Sequence, residues 1–339
     1  MRAAVLHSPG DVRIENVEKP VIKPGHALVR VAACGVCGSD LPRVLEKGAH
    51  RMPLVVGHEF SGHITELGEG IEGFAVGELV AVPPMIPCFE CDQCLTGNFS
   101  RCRDYSYFGS RRDGAYAEYV LVPKTNLLKT PQGLDPRAVA MTDPASIALH
   151  AIWKAPVTAG QRGGVVGCGP IGLFAIQWFK IMGASEVVAI DISEDKLELA
   201  RQAGATHTFL ADTWQEAKAY PCDTVVEAVG HPSAQNTAVQ LAGPGGHAVF
   251  IGIPTTDVTW SQATYNHLLR QEISLHGAWN SFAAPFPGKQ WTVALEKLGS
   301  GELKWEFMIS HDLDLDELPA MFESFRTRNQ PFSKVIFRA

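Results

Sequence analysis

A glycine-rich turn constrains the fold of this 339-residue chain more than any other segment does. A β-branched run ends at Val166, the glycines follow as Gly167-x-Gly169-x-x-Gly172, and the apolar run 173–182 contains neither glycine nor proline. This pattern predicts a strand, a tight turn and a helix. In turns of this type the first glycine makes the bend, the second lets the backbone approach a pyrophosphate, and the third lets helix and strand pack closely. The phosphate then lies on the free N–H groups at the start of the helix.

An acidic residue downstream of the turn indicates which dinucleotide binds. A second predicted strand, Glu186 to Ile190, ends at Asp191, which follows Gly172 by 19 residues. A carboxylate at this distance is placed to accept hydrogen bonds from the adenosine ribose hydroxyls, and it repels a 2′-phosphate. We therefore expect NAD rather than NADP; the alternative is that Asp191 only caps the helix that starts near Ser193. The predicted NAD-binding residues are Gly167, Gly169, Pro170, Ile171, Gly172, Asp191 and Lys196. Lys196 is equally compatible with a solvated helix lysine.

The two halves of the chain have different patterns. In the second half, helical runs alternate with predicted strands near Val165, Val187, Phe209, Val225, Ala248 and Ile273. Such alternation is typical of a doubly wound parallel sheet, the Rossmann fold. Before about Leu128, short strands separated by glycine and proline predict a compact β-barrel-like domain. We expect the final strand, Lys334 to Phe337, to rejoin it. The result is an α/β protein with a discontinuous first domain at 1–144 and 285–339 and a second domain at 145–284.

Composition excludes several classes of partner. The formal net charge of −7 and the pI of about 5.9 argue against binding to nucleic acid or to an anionic membrane surface. No apolar run reaches the roughly 18 residues of a membrane span, and the N-terminal apolar stretch is too short for a secretory signal. We therefore expect a soluble, cytoplasmic protein. In that compartment its eight cysteines are metal ligands, nucleophiles or core residues rather than disulfides.

Four of the cysteines have the spacing of a metal-binding loop. They are Cys88, Cys91, Cys94 and Cys102. Four thiolates can close a tetrahedral shell around zinc and leave no open position for a reactant, which predicts a structural zinc. An iron–sulfur cluster is the competing use, but the last spacing is longer than in the bacterial ferredoxin run, and Arg103 rather than proline follows. The polar residues of the loop disfavour four unrelated core cysteines.

A second set of metal-binding residue types lies earlier in the chain. Cys37 and the adjacent pair His58-Glu59 offer a thiolate, an imidazole and a carboxylate. These are the ligand types of an open catalytic zinc site, which keeps one position for water or substrate. Zinc there stabilises the alkoxide from which hydride leaves. The spacing alone leaves open that Cys37 is a buried apolar residue and His58 a core histidine.

Together these motifs resemble the zinc-containing medium-chain dehydrogenases over essentially the whole chain. The matching segments are Cys37-Gly38-Ser39-Asp40, Gly57-His58-Glu59, the four-cysteine loop, Gly114-Ala115-Tyr116-Ala117-Glu118-Tyr119 and the glycine-rich turn with Asp191. The sugar-alcohol branch is the most similar. The resemblance implies a GroES-like catalytic domain, a Rossmann domain and a cleft between them where nicotinamide faces the catalytic metal. It also implies oxidation of a secondary alcohol of a polyol or polyol phosphate to a ketose, by a homodimer or homotetramer.

The resemblance assigns roles to single positions. Cys37 and His58 bind the catalytic metal, and Glu59 binds it directly or through water. The next ligand comes from the segment before Pro144, where Asp143 stands in place of the glutamate of the branch. Because aspartate is one methylene shorter and only one soft ligand remains, the ion is zinc or a harder divalent cation.

The proton route also departs from that of other branches. Ser39 occupies the hydroxyl position of the alcohol dehydrogenase relay, but the histidine position three residues later is Pro42, which cannot titrate. We therefore expect the proton to leave through Ser39 and the cofactor ribose, or through a water on the metal and Glu59.

Substrate contacts are the least constrained prediction. In a chain of net negative charge, a sugar phosphate needs local cations, and arginine matches phosphate bidentately. The candidates are Arg43, Arg111 and Arg112, together with Trp279 and Asn280 from stretches that distinguish the sugar-alcohol branch. The alternative is that Arg112 only shapes a turn and that the adjacent arginines are solvated. Free polyols and L-threonine are the alternative substrates. A rival of another class is an NAD(H)-binding regulatory protein that has lost its chemistry, with Asp143 as the trace of that loss.

Overall fold

Short apolar runs separated by glycine and proline form the strands of the first part of the chain, as their sequence predicts. A computed structural model describes residues 1–327 and 331–338. Residues 328–330 and 339, which the sequence assigns to the segment 285–339, lie outside the described residues.

The strands are, in chain order, β1 Arg2–Ser8, β2 Asp11–Asn16, β3 His26–Gly35, β4 Leu54–Val55, β5 Glu59–Leu67, β6 Leu79–Val82, β7 Met85–Ile86, β8 Ser106–Tyr107, β9 Tyr119–Pro123, β10 Leu128–Lys129, β11 Arg162–Val166, β12 Glu186–Asp191, β13 His207–Leu210, β14 Cys222–Glu227, β15 Ala242–Phe250, β16 Ser274–Gly277, β17 Ile309–Asp314 and β18 Lys334–Arg338.

The α-helices are α1 Asp40–Pro42, α2 Asp92–Leu95, α3 Pro136–Ala140, α4 Thr142–Ile152, α5 Pro170–Ile181, α6 Glu194–Gln202, α7 Pro232–Leu241, α8 Gln262–Arg270, α9 Lys289–Gly299 and α10 Leu318–Thr327. A π-helical turn at Arg43–Lys47 follows α1. Short 3₁₀ helices lie at Phe99–Arg101, Lys124–Asn126, Trp214–Ala219, Glu306–Met308 and Leu315–Glu317. None of the described helices is both long and apolar enough to cross a membrane.

The first unit of the chain comprises Met1–Asp143, Phe282–Gly299 and the described part of Ile309–Ala339. Its main sheet has the order β10-β6-β5-β3-β18-β17, with β9 also paired to β3. Strand β3 is the centre of this sheet because it pairs antiparallel with β5, β9 and β18. A second sheet, β2-β1-β4, covers a core that contains Phe60, Tyr116 and Phe337. The predicted return of the last strand to the first domain is therefore observed.

The second unit comprises Pro144–Ser281 and Ser300–Met308. Its six strands pair in parallel in the order β13-β12-β11-β14-β15-β16, with α5, α6 and α7 in contact with their strands. The β-branched interiors of these strands are fully buried, as in a sheet covered on both faces. The predicted doubly wound parallel sheet is confirmed.

The two units differ from the predicted domains at Pro144 and at residues 282–284, and most of all at residues 300–308. The sequence assigns this segment to the first domain, whereas the structure groups it with the second unit. Leu303 and Trp305 are buried there, and the Gln177 side chain accepts from the backbone N–H of Lys304 (2.7 Å) and donates to its carbonyl (2.9 Å). A glutamine of α5 thus fixes this segment through its backbone, which no local pattern reveals.

Candidate active site

Strand register brings the predicted catalytic ligands together. In the antiparallel pair β3–β5, Gly35 at the end of β3 lies opposite Glu59 at the start of β5. Cys37 follows that strand end by two residues, and His58 immediately precedes β5. One ligand atom from each of Cys37, His58 and Glu59 lies within 4.8 Å of the others. His58 and Glu59 are buried, whereas Cys37 is half-buried, so the thiol faces the accessible side of the group.

This donor set fits a divalent ion. Ligand atoms about 2.0 to 2.3 Å from a tetrahedral zinc lie about 3.3 to 3.8 Å apart, and the three atoms lie within 4.8 Å of one another, so a small movement of the side chains brings them to that spacing. The group contains one soft sulfur, one imidazole nitrogen and one carboxylate oxygen, and it leaves a further position open. A catalytic rather than a structural site needs that open position.

Asp40 orients the imidazole. Its Oδ1 lies 3.3 Å from Nδ1 of His58, which leaves Nε2 as the ring nitrogen for a metal. The Asp40 carboxylate also accepts from the Tyr116 hydroxyl (2.9 Å) and the Cys37 backbone N–H (3.2 Å), and it pairs with Arg43. Burial opposes ionisation of Asp40, but His58 and Arg43 outweigh it and hold its pKa well below the usual range. Burial likewise disfavours a charged His58, yet Asp40 and Cys37 raise its pKa.

Asp143, the predicted fourth ligand, is buried near this group without belonging to it. Its pKa is raised to about 7 because burial disfavours the charged carboxylate and because Glu59 adds a second negative charge. A cation close to Asp143 and Glu59 would favour the ionised carboxylates, and so would offset both the effect of burial and the repulsion between the two charges. The role of Asp143 as a metal ligand stays a prediction.

Lys334 is a partner of Glu59 that sequence reasoning missed. Its Nζ, on the first residue of β18, forms a buried ion pair with the Glu59 carboxylate and donates to the Val36 carbonyl at 3.1 Å. A Cβ at Gly35 would lie 2.5 Å from Glu59 Oε2 and 2.7 Å from Lys334 Nζ, so only glycine leaves space for this pair. The sole sequence signal is a lysine at the start of an apolar strand.

Two further side chains complete the surroundings of the thiol and the imidazole. The Ser39 hydroxyl donates to Cys37 Sγ at 3.3 Å, which places the predicted proton carrier beside a predicted ligand. The Tyr107 ring meets the His58 ring edge-on, with centroids 5.6 Å apart. Tyr107 also escaped the sequence prediction, because nothing in its neighbourhood indicates a contact with His58.

The predicted substrate residues have different surroundings. Arg43 is committed to the ion pair with Asp40. The Arg111 guanidinium lies 4.5 Å from the centre of the Tyr105 ring. Arg112 lies 5.0 Å from the Phe108 ring centre and lines a cavity of about 530 Å³ whose walls include none of the three gathered ligands among the described residues. Trp279 and Asn280 belong to the second unit, where Trp279 is half exposed and Asn280 has a positive φ of 54°.

The four-cysteine loop has the geometry of a zinc site. The Sγ atom of Cys88 lies 3.9 Å from that of Cys94 and 3.4 Å from that of Cys102. The Sγ atoms of Cys91 and Cys102 are 4.0 Å apart. Tetrahedral zinc with sulfur at 2.3 Å requires about 3.8 Å. Backbone N–H groups of Arg103 and Cys94 lower the pKa of Cys91 to about 6, whereas burial raises that of Cys94. All four thiols are available as ligands because none forms a disulfide.

The three glycines of the turn have the backbone geometry that their predicted roles require. Gly167 has a positive φ of 97°, which makes the bend. A Cβ at Gly172 would lie 1.8 Å from the Gly167 carbonyl oxygen, so helix and strand approach closely there. A Cβ at Gly169 would meet no heavy atom within 4 Å, and Gly169 caps α5, which begins with Pro170 and Ile171. Open space beside the free N–H groups of a helix start is what a pyrophosphate site requires, so pyrophosphate binding here stays a prediction.

Asp191 connects two loops at the carboxyl end of the parallel sheet. It accepts from the Cys168 backbone N–H at 2.7 Å and from the Ser193 N–H at 3.1 Å. Ser193 is the residue before α6, so Asp191 does contact the start of that helix, as the alternative interpretation predicted. A carboxylate has about four lone-pair sites, and the remaining ones can accept from a ribose. Lys196 lies half-buried in the first turn of α6.

Comparison with known proteins identifies the family. Residues 23–132 match the family model of the alcohol dehydrogenase GroES-like domain, and residues 170–297 match that of the zinc-binding dehydrogenase. The chain is 36% identical over 319 residues to galactitol 1-phosphate 5-dehydrogenase of Escherichia coli strain K12, with 92% of each chain covered. It is 31% identical to L-threonine 3-dehydrogenase of Bacillus licheniformis, with 95% of each covered.

A solved structure agrees with these matches. The crystal structure of galactitol-1-phosphate dehydrogenase from Escherichia coli superposes with a TM-score of 0.94 at 34% identity, over 100% of both chains. The fold, the two metal-ligand groups and the glycine-rich turn all agree with the resemblance read from the motifs. The chain therefore belongs to the zinc-containing medium-chain dehydrogenases, with a GroES-like domain and a Rossmann domain.

Proposed function

We propose that the protein oxidises a secondary alcohol of a polyol or polyol phosphate to a ketose with NAD and a divalent metal ion, with galactitol 1-phosphate to tagatose 6-phosphate as the first candidate reaction. The gathering of Cys37, His58 and Glu59 within 4.8 Å carries the proposal. The similarity to a galactitol 1-phosphate 5-dehydrogenase supports the substrate class. In the balanced reaction the carbinol carbon loses a hydride to NAD and its hydroxyl loses a proton.

The metal supplies Lewis acidity that lowers the pKa of the substrate hydroxyl. Cys37, His58 and Glu59 hold the ion, and Asp143 is the predicted further ligand. Asp40 fixes the tautomer and orientation of His58, a contact that tunes ligand basicity in metal sites. Lys334 offsets the charge of Glu59, so that the site does not carry uncompensated carboxylates in a buried environment.

The Ser39 hydroxyl is the proposed first carrier of the proton. It lies 3.3 Å from Sγ of Cys37, a proposed ligand of the catalytic metal. From there the proton passes to the cofactor ribose; transfer through water to Glu59 is the alternative. Ser39→Ala should lower kcat and change its pH dependence, with Ser233→Ala as the matched control. If Ser39→Ala has the kcat and the pH profile of the wild type, the proton does not leave through Ser39.

We propose NAD as the cofactor on the strength of Asp191. A carboxylate at this position accepts from ribose hydroxyls and repels a 2′-phosphate. Asp191→Ser should lower kcat/KM for NAD by about tenfold or more and leave that for NADP unchanged or raised. Because Asp191 also holds the Cys168 N–H, the unfolding midpoint of the variant is measured alongside. Equal loss with both cofactors contradicts a ribose contact.

Arg111 is the proposed phosphate contact, since Arg43 is engaged with Asp40. Arg111→Ala should raise KM for a phosphorylated polyol and leave KM for its unphosphorylated analogue unchanged. Arg112→Ala is the matched comparison, because Arg112 packs on Phe108 instead of Tyr105. Equal effects of Arg111→Ala on both substrates defeat the assignment.

A substrate panel tests the proposal as a whole. Phosphorylated polyols, free polyols such as sorbitol, and L-threonine are incubated with NAD, and NADH formation is followed by absorbance with and without chelator. L-Threonine is included because the chain resembles an L-threonine 3-dehydrogenase. Chelator-sensitive NADH formation with a polyol and two bound ions per chain are expected from the two ligand groups. One ion with NADH binding and no turnover favours a regulatory protein.

We also propose a homodimer or homotetramer, which the family resemblance implies. Strand β16 is an edge of the parallel sheet, and Leu275 on it is 39% exposed. Unpaired edges of this kind are available for pairing with a second copy. Light scattering of the purified protein gives the mass directly, and a monomer contradicts the proposal.

A further inference from the structure

Tyr107 lies directly beside the candidate metal site. It ends the short strand β8, where it pairs with Met85 of β7. Its ring meets the His58 ring at an interplanar angle of 64°, with centroids 5.6 Å apart. The side chain therefore borders the ligands without being one of them.

The hydroxyl of Tyr107 has no protein partner among residues 1–327 and 331–338. Its ring meets the rings of His58 and Tyr105 and packs against the apolar cluster that contains Met85 and Phe99, and its backbone carbonyl accepts from the N–H groups that follow. Tyr116 provides the contrast within the same unit, because its hydroxyl donates to Asp40 at 2.9 Å and its ring is fully buried. Tyr107 is only half-buried, so its hydroxyl can meet a small molecule.

The groups around Tyr107 define the accessible side of the site. Cys37 and Ser39 are half-buried, whereas His58 and Glu59 are buried. Cys37, Ser39 and Tyr107 are therefore the residues of this group that a small molecule can reach. The phenol hydroxyl can both donate and accept a hydrogen bond.

A hydrogen-bonding hydroxyl such as that of Tyr107 can distinguish polyols from simple alcohols. Both carry the hydroxyl that is oxidised, but only a polyol carries a second hydroxyl a few ångströms away. We propose that the Tyr107 hydroxyl hydrogen-bonds a second hydroxyl of the substrate and thereby selects polyols over alcohols with a single hydroxyl. The inference rests on the proposed polyol oxidation and assigns a specificity residue to it.

Tyr107→Phe tests this assignment because it removes one oxygen and keeps the ring on His58. The kcat/KM of the zinc-loaded enzyme is measured with its best polyol and with 2-butanol, which carries only one hydroxyl. We expect a loss of about tenfold for the polyol, the equivalent of about 1.4 kcal/mol, and less than about twofold for 2-butanol. Tyr105→Phe removes the same atom one ring further from His58 and should change neither value.

A binding measurement gives a readout that does not depend on turnover. Calorimetric titration of the zinc-loaded enzyme with the polyol, without NAD, should give a Kd raised about tenfold in Tyr107→Phe and unchanged in Tyr105→Phe. Unfolding midpoints equal to that of the wild type confirm that both variants fold.

The outcomes separate this inference from the proposed function. Equal losses with polyol and 2-butanol, or no loss with either, overturn the role of Tyr107 while wild-type polyol turnover upholds the function. If the wild type oxidises no polyol, the proposed function fails. The calorimetric titration then still tests whether the Tyr107 hydroxyl binds a polyol. Equal Kd values in wild type and Tyr107→Phe, or no polyol binding at all, then overturn the inference.

Discussion

Oδ1 of Asp40 lies 3.3 Å from Nδ1 of His58, and both side chains are buried. Asp40 is held in turn by the Tyr116 hydroxyl, the Cys37 backbone and Arg43. The carboxylate is therefore held beside the imidazole before any ion binds. A preset ligand loses less freedom on binding than a mobile one, so this contact should contribute to metal affinity.

Replacing Asp40 by Asn should weaken the catalytic metal site without emptying the four-cysteine loop. We expect the Kd of the catalytic ion to rise about 10- to 100-fold, the usual effect of removing a carboxylate behind a ligating histidine. Competition with a chelator measures the Kd, and zinc content shows that one ion per chain is retained. Asp195→Asn, an exposed change on α6, is the control. An unchanged Kd means that Asp40 does not act through His58.

Replacing Lys334 by Met should destabilise the protein strongly. In the metal-free protein it leaves the Glu59 carboxylate buried without a cation, and breaking one side of a buried pair costs about 3 to 5 kcal/mol. Urea unfolding measures the loss, and adding Glu59→Gln to the variant should recover part of it. Arg326→Met breaks an exposed pair with Glu323 and should cost far less, because solvent screens that pair. Equal costs at the two positions contradict a special role for Lys334.

The sequence predicts those features whose physical cause is local. Within six residues, the turn needs a positive φ at Gly167, open space at Gly169 and a close approach of Gly172 to the Gly167 carbonyl. Each requirement favours glycine, so the spacing of the three glycines predicts the turn. The four cysteines likewise lie in one short loop. By contrast, the proximity of Cys37 and His58 depends on the register between β3 and β5. Spacing alone does not give that register, so only the family resemblance indicated it.

Contacts between distant segments escaped prediction altogether. Lys334 and Glu59 are 275 residues apart, and a lysine before an apolar strand resembles any surface residue. The contact of Tyr107 with His58 joins two loops whose relative placement depends on the whole first unit. The same holds for residues 300–308, which join the second unit through Gln177. Such contacts follow from tertiary packing, which leaves no periodic signal in the sequence.

The second and third glycines of the nucleotide turn, Gly169 and Gly172, should respond differently to substitution by alanine. Gly172→Ala places a methyl group 1.8 Å from the Gly167 carbonyl oxygen, so the backbone must shift, at a cost of about 1 to 3 kcal/mol of unfolding free energy. Gly169→Ala meets no heavy atom and should leave stability within about 0.5 kcal/mol. Its methyl group occupies the space for the pyrophosphate, so the Kd for NADH should rise. Fluorescence titration measures that Kd, and an unchanged value excludes a pyrophosphate at Gly169.

His150 should make the second unit sensitive to acid. Burial, and to a smaller extent the charge of Lys154, lowers the pKa of His150 to about 4, whereas the unfolded chain binds this proton at about 6.5. As pH falls, His150 therefore takes up its proton in the unfolded chain before it does so in the folded chain. The free energy of unfolding decreases between about pH 6.5 and pH 4, by at most about 1.4 kcal/mol per pH unit. His150→Gln should flatten this part of the profile of urea unfolding against pH. His50→Gln, at an exposed position, should leave the profile unchanged. Identical slopes for wild type and His150→Gln would show that His150 takes up its proton equally well in the folded chain.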